Sequence, residues 1–189
     1  MVRINYSGFN KKLRLAVNNV NNLLQQEYFY KGIQRHTAFD LADITPSQLA
    51  GLMQIADFEM SVDLYYSIFP FNNVLVSDNR ENLYCIRLNK WNINQPIEVL
   101  CNALMHQCVH AVNAHFPQFN FGHGDNGLDG KENTAPFWIA TLAESFIAAD
   151  NSIYNAMASD EVTTIPFLHN FIVTEAKRVM VPVLSKIRS

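Results

Sequence analysis

The stretch from Pro96 to Gly130 constrains the fold of this chain most. Apolar residues recur at helical spacing from Ile97 onward, and no helix breaker interrupts them before Pro117. The glycines that come next are closely spaced: Gly122, Gly124, Gly127 and Gly130. Proline opens a helix at its first position and stops one beyond its last turn, whereas clustered glycines favour irregular backbone. The sequence therefore predicts one long helix from Pro96 to about His115, followed by a loop.

Two histidines share one face of this predicted helix. His106 and His110 are four residues apart, which places them about 40° apart around the axis, so both imidazoles project from the same side. At about 100° per residue, a core-facing stripe lies nearly opposite them. It consists of Ile97, Leu100, Cys101, Leu104, Cys108, Ala111 and His115. The helix is therefore expected to bury one face and to present two zinc ligands on the other.

The third ligand of this predicted zinc site is expected from the loop. His115 is the nearest further histidine, but it falls on the core-facing stripe and points away from the pair. His123 stands between Gly122 and Gly124, so a short return segment can bring its imidazole over the other two. Asp125 is expected to orient a ligand by hydrogen bonding or, as a less favoured alternative, to coordinate the ion itself.

Other candidate residues carry weaker signals. Glu144, on a later predicted helix, is an alternative carboxylate third ligand of the kind found in thermolysin-type sites. Cys108 lies inside the histidine motif but on the core-facing stripe, so a buried thiol is expected. His36 and His169 have no partner pattern and are interpreted as ordinary surface or packed histidines. Since two histidines at this spacing also occur by chance, a helical interaction protein without metal stays an alternative.

Patterns elsewhere predict an α+β fold with a small antiparallel or mixed sheet packed on the metal-binding helix. Helical spacing and N-terminal helix signals such as Thr45-Pro46 predict further helices. These cover residues 10–27, 46–68, 134–158 and the stretch from 166 onward. The β-rich runs Val74–Val76 and Leu83–Leu88 are expected to form adjacent antiparallel strands.

Length and composition indicate one globular domain. The chain has 189 residues and is 49% apolar, which is enough for a sizeable core. We expect a helical lead-in over 1–70, strands, metal helix and loop over 74–125, and closing helices over 134–189. The aromatic residues of the closing part are expected to lie in the core; they include Phe137, Trp138 and Phe146.

Charge and cysteine content narrow the class of partner. Charged residues make up only 16% of the chain and the net charge is −3, so no basic field favours nucleic acid or an acidic membrane surface.

The three cysteines form no CxxC pair, which suits a reducing compartment. No run approaches the roughly 18 apolar residues of a membrane span, and no signal-peptide core precedes the first helix. A cytoplasmic protein is expected, or one exported by a route that needs no such signal.

Three features in this order resemble the SprT-like zinc metallopeptidases, members of the zincin group whose metal helix carries HExxH. They are the strand Ile86–Asn89, the helical motif HQCVHA, and the loop motif GHGD. His110 and His123 are also 13 positions apart, as the family's spacing implies. The resemblance covers residues 74–125. It implies a zincin-like fold, zinc held by His106, His110 and His123, and a protein or peptide substrate cleaved by metal-activated water.

One position departs from the family's pattern. Gln107 stands where the family has the glutamate that takes a proton from the water. A primary amide lacks that basicity, so the resemblance implies intact metal binding with hydrolysis reduced about 10²- to 10⁴-fold. The chain is then either an inactivated form of a working peptidase or a non-catalytic, metal-dependent protein-binding module. The strand 83–88 is expected to be the sheet edge along which an extended peptide adds.

Overall fold

The computed structural model describes residues 1–67, 75–77, 82–124 and 130–158. These residues form a mixed α+β architecture, as expected, with a short 3-10 turn over Lys90–Asn92. The strands and helices are, in chain order, β1 (Arg3–Asn5), α1 (Lys11–Leu23), α2 (Glu27–Gln34), α3 (Pro46–Ile55), β2 (Glu59–Tyr65), β3 (Val76–Ser77), β4 (Cys85–Asn89), α4 (Ile97–His115) and α5 (Ala135–Ala158).

The chain divides into two compact units. The first, Met1–Ala143, contains the strands, α1 to α4 and the beginning of α5; the second, Glu144–Ser189, contains the remainder of α5. The helix predicted from Pro166 lies outside the described residues, and the single-domain interpretation stays a prediction. Among the described helices, none is long and apolar enough to cross a membrane.

The sheet has the strand order β1-β2-β4-β3. β1 pairs with β2 and β2 with β4 in parallel, so that Ile4 lies opposite Met60 and Val62 opposite Ile86. β3 alone runs antiparallel, with Val76 opposite Leu88. The sheet is therefore mixed, which is one of the two arrangements predicted for it; a purely antiparallel sheet is wrong for the main body, and antiparallel pairing holds for β3 and β4. The helices between β1 and β2 account for the parallel β1–β2 pair, because parallel neighbours need a long crossover connection.

β4 lies inside the sheet and not at its edge. Its neighbours are β2 on one side and β3 on the other. β3 covers Arg87 and Leu88 of β4 on the side away from β2, so the prediction that residues 83–88 form the free edge for an added peptide is wrong at those two residues. Within the described ranges, the edge strands are β1 and β3.

Two strands occupy the part of the chain that was expected to be a helical lead-in. α3 begins at Pro46 behind the predicted Thr45 cap, but it ends at Ile55 and not near Ile68. β2 then alternates exposed and buried residues from Glu59 to Val62. Because β2 pairs on both sides, with β1 and with β4, long-range pairing overrides the local helical signal. The helical lead-in is therefore only partly right, since residues 1–70 contain α1, α2 and α3 but also supply two of the strands.

The outer side of β1 is closed by a side chain from α1. Asn21 accepts a hydrogen bond from the Ile4 backbone N–H at 2.9 Å. Its amide nitrogen also donates to the Ile4 carbonyl oxygen at 2.8 Å. The amide thus takes the place of a further strand at the middle residue of β1.

α4 carries the predicted core-facing stripe. It packs against α1, where the Cys101 thiol lies 3.5 Å from the Ala16 carbonyl oxygen. The middle of the stripe is fully buried, as expected; its residues are Leu100, Cys101, Leu104, Cys108 and Ala111. The two ends differ, because Ile97 is only half-buried and His115 is exposed. One side of α4 is therefore fixed in the core, which leaves its other side to present the histidines.

Candidate metal centre

His106, His110 and His123 converge in the first unit. Their Nε2 atoms are separated by 3.1 Å between His106 and His110, 3.2 Å between His106 and His123, and 2.8 Å between His110 and His123. Imidazole nitrogens that share one tetrahedral zinc, each at about 2.0–2.1 Å, lie about 3.3–3.4 Å apart. The three nitrogens therefore fit one such ion after small adjustments. The structure brings together the three histidines that the sequence predicted as ligands.

Burial favours the neutral form of these imidazoles. Burial, followed by the charges of His110 and His123, lowers the pKa of His106 to about 3. Burial also lowers the pKa of His123, and the positive charge of Lys131 lowers it further. A neutral imidazole keeps a lone pair for a metal ion, so at neutral pH His106 and His123 are in the form that coordinates.

The backbone of Pro136 adjoins the His106 imidazole. The Pro136 carbonyl is hydrogen-bonded to this imidazole, which partly offsets the lowering of its pKa. Nε2 of His106 faces His110 and His123, which leaves Nδ1 as the ring nitrogen outside the cluster. The Nε2 lone pair is thus directed into the cluster. Metal-ligating histidines commonly donate their second ring N–H in this way.

The third histidine is carried by a segment that turns back over α4. Phe121 is fully buried, and His123 is only 6% exposed. Gly124 has a φ of +76°, a left-handed conformation that favours glycine. Gly122 has no such requirement, since an added Cβ would lie 3.5 Å from the nearest atom, the Asn113 amide oxygen. Of the two flanking glycines, only Gly124 is therefore demanded by the backbone.

Phe137 forms a wall of the cluster, although the sequence predicted it as a core residue. Its ring centroid lies 4.5 Å from that of His106 and 4.9 Å from that of His123. The side chain is half-buried. The sequence signal at this point was the start of a helix at Pro136, which carries no information about what that helix faces. The expectation that Phe137 lies in the core is therefore only partly met, since its half-buried ring also borders the histidine cluster.

The remaining histidines of the described chain lie away from this cluster. His36 stacks on Trp138 with ring centroids 4.2 Å apart, and its Nε2 lies 2.9 Å from the Asn133 amide oxygen. His115 is exposed and its ring centroid is 5.0 Å from that of Phe58. His36 is therefore a packed histidine, one of the two ordinary environments predicted for it. His115 lies outside the three-histidine cluster, but it is exposed and not on a buried stripe as expected.

Cys108 is a buried free thiol, as predicted. Burial raises its pKa to about 12, so the sulfur is protonated at neutral pH. Since the thiolate is the form that binds metal, this cysteine is unsuited to be a ligand.

Some of the predicted site residues stay predictions. Asp125 and His169 lie outside the described residues. Glu144 is the first residue of the second unit and is half-buried, and its role as an alternative ligand is untested. Gln107 lies between His106 and His110 on α4 and is also half-buried.

No protein-family model, no curated protein and no solved structure matches this chain. The fold and the site therefore define a class by their own geometry: an α+β protein with a three-histidine cluster that can hold a metal ion.

Proposed function

We propose that this chain is a zinc protein of the zincin-like, SprT-like type, with His106, His110 and His123 as ligands. The convergence of three Nε2 atoms within 3.2 Å of one another carries the proposal. Three protein ligands are the number typical of catalytic zinc sites, which keep the fourth position for water or substrate.

Zinc is the metal that we infer for this site. Imidazole also suits copper, nickel and iron, but three imidazoles at near-tetrahedral spacing favour zinc. A helix that supplies two ligands and a loop that supplies the third match the resemblance seen in the sequence. Phe137 supports the same interpretation, because its ring covers one side of His106 and His123 and limits their contact with water.

The proposed activity is peptide hydrolysis on a protein or peptide substrate, in weakened form. When bound, zinc acts as a Lewis acid and lowers the pKa of a coordinated water. Gln107 occupies the position of the general base. Its amide donates and accepts hydrogen bonds but takes no proton at neutral pH. Gln107 equally favours the second candidate, a metal-dependent protein-binding module without catalysis.

Metal content is the first test of this proposal. The purified chain is expected to hold about one zinc per molecule by elemental analysis. Replacing His106 or His123 by alanine removes one of three ligands and should lower the zinc content strongly. His115→Ala is the matched control and should leave it unchanged. Equal zinc content in all four proteins would contradict the assigned ligands.

Restoring the carboxylate tests the activity. Gln107→Glu is expected to raise the cleavage of an unfolded protein substrate by about 10²- to 10⁴-fold, since a general base is returned to its place. A chelator, or the added change His106→Ala, should abolish that gain. If the zinc-loaded Gln107→Glu protein does not cleave the substrate, the proposed peptidase activity is rejected. The metal-dependent binding module then remains.

A further inference from the structure

We propose that Asn113 is a positioning residue, whose side-chain amide holds the returning segment 119–121 on α4 and thereby keeps His123 at the metal site. This inference rests on the proposed function, because it concerns the third ligand of that site. It assigns a role to a residue that neither coordinates the ion nor touches a substrate.

The side chain of Asn113 uses both ends of its amide on the backbone of this segment. Its Nδ2 donates to the carbonyl oxygen of Phe119 at 2.8 Å. Its Oδ1 accepts a hydrogen bond from the backbone N–H of Phe121 at 3.1 Å. Together, the two bonds fix the backbone on both sides of residue 120. Because Asn113 is half-buried, these bonds are partly shielded from competing water.

The position of Asn113 on α4 links this contact to the ligands. It lies three residues after His110, so the two side chains are neighbours on one helix face. Only residue 122 separates Phe121 from His123. A displacement of Phe121 relative to α4 would therefore be passed to the His123 imidazole, which lies 2.8 Å from that of His110.

A second contact holds the segment through Asn120, but it joins the segment to a different part of the chain. The backbone N–H of Asp43 donates to the Asn120 carbonyl at 2.9 Å, and the N–H of Asn120 donates to the Asp43 carboxylate at 2.9 Å. These bonds tie the segment to the stretch before α3, whereas Asn113 ties it to the helix that carries His106 and His110. The register between the loop ligand and the helix ligands therefore depends on the Asn113 amide.

The test is zinc affinity, measured by competition with a chromophoric chelator. Asn113→Ala is expected to weaken zinc binding about 10- to 100-fold, the range found when supporting contacts of a ligand are removed. X-ray absorption of the zinc-loaded proteins should count three imidazoles in the unchanged chain and two in the variant. The matched control is Asn18→Ala, the same change at an exposed position of α1, which should alter neither quantity.

A second variant covers the case in which Asn113→Ala does not fold. Asn113→Asp keeps the volume and the acceptor for Phe121, but it has no donor for the Phe119 carbonyl, so zinc binding should again weaken. Unchanged affinity with three imidazoles in whichever variant folds would overturn the proposal. Loss of folding in both would also overturn it, because Asn113 would then be needed for the fold itself. Failure of the unchanged chain to bind zinc would instead reject the proposed function.

Discussion

Tyr30 shows how one side chain completes the end of a neighbouring helix. It lies on α2, and its hydroxyl donates to the carbonyl oxygen of Leu24 at 2.6 Å, just beyond the last residue of α1. The last carbonyls of a helix have no partner within that helix, so this bond satisfies one of them in a buried place. Burial and the nearby Cys108 raise the pKa of Tyr30 to about 12.

Tyr30→Phe removes that bond and should lower the free energy of unfolding by about 1 kcal/mol at neutral pH. The same change should also alter how the free energy of unfolding falls at alkaline pH. In the unfolded chain a tyrosine loses its proton above about pH 10, whereas folded Tyr30 keeps it to about pH 12. Its contribution is therefore complete below about pH 10 and is lost as the pH rises toward 12.

Urea unfolding between about pH 7 and pH 11 measures both the loss of stability at neutral pH and the change in its alkaline pH dependence. Above about pH 10, the free energy of unfolding should fall less steeply in Tyr30→Phe than in the unchanged chain. Part of the fall should remain in the variant, because burial also raises the pKa of Cys108. Tyr66→Phe, at a position 59% exposed, is the control and should keep the full slope. A Tyr30→Phe protein with an unchanged alkaline slope would contradict the assigned cause.

Residue by residue, the histidine cluster could be predicted and its surroundings could not. The spacing of His106 and His110 is a local property of one helix, and the glycines around His123 mark a turn toward it. Phe137 reaches the cluster from α5, so its role depends on tertiary packing that no local pattern contains. Asn113 looks like any polar residue on a helix surface, because its partners are backbone atoms.

At the scale of elements, the helices with strong boundary signals were predicted closely. α4 covers Ile97–His115 and α5 begins at Ala135, within a residue of the expected starts. Prolines and caps act locally, so they are visible in the sequence. The strand β2 was missed, although its first residues alternate polar and apolar, since the helix before it ends at Ile55 without a glycine or proline.

The sheet was predicted least well, because its pairings join distant parts of the chain. Arg3 lies opposite Glu59, and Ser61 opposite Cys85. A strand of three residues such as β1 offers almost no periodicity, and it forms because β2 is present beside it. Parallel order therefore follows from packing across the whole unit and not from either strand alone.

For the whole molecule, the histidine cluster couples metal binding to stability. His106 has a pKa of about 3 when folded, whereas an unfolded histidine has one near 6.5. The unfolded chain then binds more protons between these values, so stability rises with pH across this window. The metal-free protein should therefore keep its full stability above about pH 6.5 and lose part of it as the pH falls toward 3.

Zinc should add to this stability by mass action. A ligand that binds only the folded state at 100 times its Kd contributes about 2.7 kcal/mol. Urea unfolding at about pH 7 should show such a gain with zinc, and the gain should disappear when a chelator is added. In His106→Ala, zinc should raise the free energy of unfolding by less, and that free energy should fall less steeply as the pH drops below about 6.5. An equal zinc gain in that variant would contradict the coupling.

The amide of Asn21 has a consequence for how copies of this chain meet in concentrated solution. Exposed strand edges recruit other chains and seed aggregation. At Ile4 the outward hydrogen-bonding positions of the first strand are already taken by a side chain of the same molecule. An approaching copy therefore finds no free peptide group at that residue and would have to displace two bonds before it could join the sheet there.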